Sequence, residues 1–119
     1  MKTLIYLAGP YTGDREANVA RALRVADDLI ARGYAVLVPH LSHYQKGWGH
    51  SMFWYGYDLE FLRRCDMIYM MEGWPRSFGS RLELRKAQEW GIPRIFQGAP
   101  GDPLLEDVET AIHDPRRRI

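Results

Sequence analysis

Two carboxylates, Asp58 and Glu83, stand out in this 119-residue chain as groups whose surroundings could make them reactive. Glu83 follows a turn at the start of a helical pattern, whereas Asp58 is set among apolar residues. Two carboxyl groups in unlike environments suit displacement at a sugar carbon, because one can attack while the other handles a proton. A carboxylate nucleophile must be ionised, and a positive helix end favours the ionised form. A second reading competes. Ser80-Arg81-Leu82-Glu83 has the form of a capping box, with Ser80 at the cap and Glu83 reaching back to its N–H. Taken alone, this stretch leaves both readings open.

The elements that carry the two carboxylates can be read from periodicity. The apolar run Met67 to Met71 predicts a buried strand. Pro75, Ser77 and Gly79 make a turn, and a helix follows from Ser80 with Leu82, Leu84, Ala87 and Trp90 on its apolar side until Gly91 stops it. Such a strand-turn-helix unit aims backbone N–H groups at whatever lies above the sheet. Asp58 falls on a helix predicted over Phe53 to Arg64, in phase with Trp54, Phe61, Leu62 and Cys65. A carboxylate there costs free energy unless paired, and its proton affinity is expected to rise. The alternative for Asp58 is a solvated or capping residue. Asp66 reads as a structural turn residue.

The rest of the chain alternates strand and helix. Thr3 to Ala8 is a first strand, followed by the tight loop Gly9-Pro10-Tyr11-Thr12-Gly13, which lets backbone approach a ligand. Neither a dinucleotide fingerprint nor a phosphate-cradling Walker spacing is present. A helix over Glu16 to Arg32 carries Val19, Ala22, Leu23, Ala26, Leu29 and Ile30 as its stripe. Ala35 to Val38 is a second strand, residues 39 to 52 form a long loop, and Pro93 to Gln97 is a fourth strand. Asp102-Pro103 opens a last helix with a cap and a proline, striped by Leu104, Leu105, Val108 and Ile112. The pattern predicts a single α/β domain over 1–119. It is a doubly wound, Rossmann-like parallel sheet of four to five strands with helices on both faces. With strand 2 outside strand 1 and strand 3 on its other side, the loops at Gly9–Gly13 and Gly73–Gly79 converge on the switch-point crevice. His40 follows a strand end and is expected to face that crevice. Tyr11, Trp48, Trp54 and Trp74 could stack on a flat base, with core or lid packing as the alternative.

Composition narrows the classes. With 46% apolar residues, 26% charged residues and a net charge of +1, the chain has the balance of an ordinary globular domain and no bias toward an acidic polymer. Arg116-Arg117-Arg118 reads as a solvated tail, so no nucleic-acid polymer is expected. The single cysteine, Cys65, excludes an internal disulfide and fits a reducing compartment. No signal-peptide layout and no membrane-span pattern are found, and a cytoplasmic protein without membrane contact is the expectation. His40, His43 and His50 invite a metal reading, but no cysteine or carboxylate is spaced to complete a site, so no metal is expected.

At three blocks the residues resemble a family. Ile5-Tyr-Leu-Ala-Gly-Pro-Tyr11, Asp58-Leu-Glu-Phe-Leu-Arg-Arg-Cys-Asp66 and Ser77-Phe-Gly-Ser-Arg-Leu-Glu83, with Ala87 and Gly91 behind them, resemble the nucleoside 2-deoxyribosyltransferases. Their relatives, the 2'-deoxynucleoside 5'-phosphate N-hydrolases, share the likeness. It spans most of the chain and implies a flavodoxin-like fold. It also implies that Glu83 attacks the anomeric carbon, that Asp58 is the acid/base, and that Tyr6 orients the nucleophile. Gly9, with Pro10 and Tyr11, would approach the sugar, and Ser77 and Gly79 would lie near a 5'-phosphate. His40, Trp54 and Trp74 complete the expected substrate contacts. The implied partner is a small-molecule nucleoside or nucleotide, with no cofactor, and the implied assembly is a homo-oligomer. The sequence departs from the transferases in its shortness and in its ending, Asp114-Pro115-Arg-Arg-Arg-Ile119, which does not match the segment a transferase lends to its neighbour. Its Gly9-Pro10-Tyr11 loop looks more transferase-like than the serine- and arginine-bearing loop of the nucleotide hydrolases. Against the enzyme stands a non-catalytic nucleotide-binding module with the same crevice.

Overall fold

The computed structural model of the protein describes residues 2–44 and 51–113. Strand β1 (Leu4–Ala8) leads to helix α1 (Arg15–Ala31) and strand β2 (Ala35–Leu37). A 3-10 segment (Pro39–Tyr44) and helix α2 (Ser51–Leu62) precede β3 (Met67–Met70). A 3-10 turn (Trp74–Arg76) then leads to α3 (Phe78–Glu89) and β4 (Arg94–Phe96). The chain continues through a second such turn (Pro103–Leu105) into α4 (Val108–Ile112).

Among the described residues the sheet has four strands, ordered β2-β1-β3-β4 and all parallel. This is the expected flavodoxin-like winding. Tyr6 pairs with Leu37 on one side and with Ile68 on the other, at the centre of the sheet. Alternation along each strand divides the core in two. Ile5, Leu7, Tyr69, Met71 and Ile95 pack with Ala22, Val25, Ala26 and Leu29 of α1. Tyr6, Ala8, Ile68 and Met70 pack on the other side with Leu62 and Cys65 of the α2 end and Ala87 of α3. Tyr6 therefore projects to the face that α2 and α3 cover, the face to which Asp58 and Glu83 belong. Asp66 closes the opposite end of the sheet, its carboxylate accepting from Leu4 N at 2.7 Å, so its structural reading holds.

Some expected boundaries and stripes are corrected. Helix α3 begins at Phe78, capped by Ser77, whose hydroxyl accepts from Ser80 N at 3.2 Å. The helix predicted from Asp102 is two pieces. Asp102 caps a 3-10 turn and Asp107 caps α4, because the Asp107 carboxylate accepts from Thr110 N and restarts the helix there. On α1, Leu23 and Ile30 sit at the exposed rim while Val25 is buried, so the inward stripe is rotated from the one predicted. On α2, Phe61 is exposed and rests against Tyr57.

Candidate active site

Three elements deliver three side chains to one place. Tyr6 comes from the middle strand of the core and is fully buried. Its hydroxyl donates a hydrogen bond to Glu83 Oε2 on α3. Asp58 on α2 is 5% exposed, and its charge is felt at both Tyr6 and Glu83. Burial pushes the Tyr6 hydroxyl well above its ordinary range, and the negative charges of Glu83 and Asp58 add to the rise. Tyr6 therefore stays a neutral donor. Burial likewise drives Glu83 up to about 8; the Tyr6 hydrogen bond opposes the rise and Asp58 adds to it.

This corrects two expectations for Glu83. With Ser77 as the cap, Glu83 is the sixth residue of α3 and lies in its second turn, so the capping box with Ser80 does not form. The helix-end field fades within the first turn, and burial outweighs it: Glu83 is not held ionised at neutral pH by position. What keeps the carboxylate accessible to ionisation is the Tyr6 hydroxyl.

The two glycine-containing loops meet as expected. A Cβ on Gly9 would lie 2.9 Å from Met71 Cβ, so only glycine lets the loop after β1 close onto the end of β3. Gly73, at φ +91°, brings its Cα against Pro10, where a Cβ would come within 3.2 Å of the ring. His40 is buried and turned to this loop, with Nε2 donating to Pro10 O at 3.1 Å and its ring edge-on to Tyr11. Gly79 makes room for Tyr55 of α2, since a Cβ there would come within 3.0 Å of the ring. Trp74 is half-buried and packs on Phe96, on the side of the sheet that α2 and α3 cover. Ser77 is occupied as the cap of α3. The side chain of Trp54, Trp48 and the histidines His43 and His50 lie outside the described side chains and residues. Among the described residues no group of His, Cys, Asp and Glu is placed to hold a metal ion. No helix among them is long and apolar enough to cross a membrane.

One residue of the site region was not singled out from the sequence. Asn18 of α1 is 7% exposed, and its amide donates to Tyr11 O at 3.2 Å and Thr12 O at 3.0 Å, while Arg21 Nη2 donates to its Oδ1 at 2.5 Å. The available signal was phase: Asn18 lies at steps of four and seven before Ala22 and Val25, a polar residue on the buried stripe.

The geometry bears comparison with known proteins. No curated protein matches the chain in sequence. Among solved structures, a 2-deoxyribosyltransferase from the psychrotolerant bacterium Bacillus psychrosaccharolyticus aligns over 93% of this chain and 91% of its own, with a TM-score of 0.67 and 18% identity. That likeness is one of fold, and it confirms the flavodoxin-like winding. A family model described as Domain of unknown function (DUF4406) matches residues 3–96, which include all four strands, Tyr6, Asp58 and Glu83. The chain belongs to the DUF4406 family and has the fold of the 2-deoxyribosyltransferases.

Proposed function

We propose that the protein cleaves or transfers at the N-glycosidic bond of a nucleoside, 2'-deoxy or not, or of its 5'-monophosphate. The observation that carries this reading is the hydrogen bond from buried Tyr6 to Glu83 beside buried Asp58. Three polar groups from three elements are assembled on the side of the sheet that α2 and α3 cover, at an energetic cost that a purely structural carboxylate would not require. The aligned 2-deoxyribosyltransferase, described as a biocatalyst for nucleoside synthesis, supports the substrate class.

In this mechanism one proton is shared by the carboxyl pair. It resides on Asp58 when Glu83 attacks C1' of the sugar. The C1'–N bond breaks, its electron pair goes to the base nitrogen, and Asp58 gives the base its proton. A glycosyl ester on Glu83 remains. Water or a second base then attacks C1', Asp58 takes up the proton, and Glu83 leaves as carboxylate, with two inversions giving net retention. Tyr6 holds Glu83 in line and stabilises its ionised form. A homo-oligomeric, cytoplasmic enzyme without cofactor fits this reading.

The test is to supply deoxynucleosides and their monophosphates, with and without excess free base, and to follow released base, free sugar and new nucleoside. New nucleoside identifies a transferase, and free sugar at a rate unaffected by added base identifies a hydrolase. Tight binding without turnover of any member of the panel would replace the proposal with a non-catalytic nucleotide-binding module.

A further inference from the structure

We infer that Asn18 is a positioning residue for the candidate site, acting through the loop between Gly9 and Thr12, and that Arg21 fixes the orientation of its amide; this rests on the reading of the site proposed above. The loop is held from two sides. Toward β3 it is seated by contact, Gly9 on Met71 and Pro10 against Gly73. Toward α1 and β2 its successive carbonyls are tied by side chains: Pro10 O by His40, then Tyr11 O and Thr12 O by the two hydrogens of a single amide, Asn18 Nδ2.

The choice of residue follows from that demand. Two neighbouring carbonyls need two donors from one short side chain, which an amide supplies and a carboxylate, a hydroxyl or an aliphatic group does not. An asparagine amide facing solvent or apolar neighbours on both edges could turn over. Here Arg21 Nη2 lies on Oδ1 and can only donate, so the oxygen must face Arg21 and the nitrogen must face the loop. Asn18 is buried on the inward stripe of a helix, where an amide without partners would be costly and an alanine would pack more simply. The carbonyls it withdraws are those of the loop that follows β1 and seats against Met71 and Gly73, so its product is a fixed loop shape before any ligand arrives. Such preorganisation lowers the cost of ordering the loop on binding.

The test is a graded series, Asn18→Ser with one donor and Asn18→Ala with none, beside Asn18→Asp, which keeps the shape and loses both donors. The loop would contact the sugar in ground and transition states alike, so KM should rise by about tenfold in Asn18→Asp and Asn18→Ala with kcat little changed. Asn18→Ser should fall between them and the parent. Amide hydrogen exchange at Tyr11 to Gly13, measured without substrate, should quicken in the same order. Arg21→Gln should give a smaller change in the same direction. Unchanged KM together with unchanged exchange in Asn18→Asp overturns the inference, as does a fall in kcat at constant KM. Should Asn18→Ala fail to fold, Asn18→Ser and Asn18→Asp carry the same comparison. A parent protein that turns over no nucleoside refutes the reaction, and the exchange series then decides the clamp by itself.

Discussion

Tyr6 and Glu83, 77 positions apart in sequence, meet in a hydrogen bond between the central strand and the second turn of α3. The bond favours the ionised carboxylate but does not offset burial, and with the bond in place Glu83 stands raised to about 8. The proton bound up to about 8 is the one the pair shares and Asp58 must deliver, so kcat/KM falls as pH rises through a limb near 8 in the parent protein. Tyr6→Phe removes the hydrogen bond that favours ionised Glu83, so the limb moves to higher pH, while the shared proton settles on Glu83 and activity at neutral pH falls. Initial rates across pH 5 to 10 for both proteins (an interval of about two units or more on either side of the limb) check this. A limb that stays in place in Tyr6→Phe separates the hydroxyl from the titration.

The same burial sets a stability trend. Glu83 binds its proton more tightly folded than unfolded, so between its ordinary value of 4.5 and about 8 the folded state holds the extra proton. Its contribution to stability is fully present below 4.5 and is lost as pH rises through about 8. Glu83→Gln keeps an acceptor for Tyr6 and has no charge to desolvate. The variant should therefore melt higher than the parent at pH 8 and at nearly the parent's temperature at pH 5, with base release abolished. Thermal melts at the two pH values decide it; a variant less stable than the parent at pH 8 contradicts the assigned burial cost.

Much of this arrangement was legible in the sequence, and the failures have physical causes. The strand at Leu4–Ala8 and the run at Met67–Met70 are nearly continuous apolar stretches, as strands covered on both faces must be, and they fixed the winding. The convergence of the loops at Gly9 and Gly73 followed from topology alone. The start of α3 was misplaced because Ser77 and Ser80 are both capping types three residues apart, and only the hydrogen bond to Ser80 N tells them apart. That shift carried Glu83 from the first turn to the second and hid the dominance of burial. For Asn18 the sequence offers only its phase on the buried stripe of α1, because its partners are backbone carbonyls, which leave no trace in residue type.

Asp58 lies close enough to raise both Tyr6 and Glu83, and its place on α2 opposite α3 suits a group that delivers a proton to the departing base. Asp58→Asn should slow turnover by about a hundredfold or more for bases that depart poorly, the usual scale for a general acid. A substrate whose base leaves without protonation should recover much of that loss, while binding changes little. Single-turnover rates over a series of leaving groups test this. Equal slowing across the series would remove Asp58 from the role of acid.

The two serines at the head of α3 give a last prediction that separates the observed cap from the one the sequence suggested. Ser77 Oγ satisfies an otherwise open helical N–H, so Ser77→Ala should lower stability by about 1 kcal/mol. Ser80 is 1% exposed and its hydroxyl has no hydrogen-bond partner among the described residues. A buried hydroxyl left unpaired opposes folding, and alanine is the stronger helix former, so Ser80→Ala should be neutral or stabilising. Urea titration of both variants with equal m-values makes the comparison clean. The opposite order, with Ser80→Ala losing about 1 kcal/mol and Ser77→Ala losing nothing, would return the cap to Ser80. Glu83 would then belong to the first turn, where the helix end, rather than Tyr6, governs its charge.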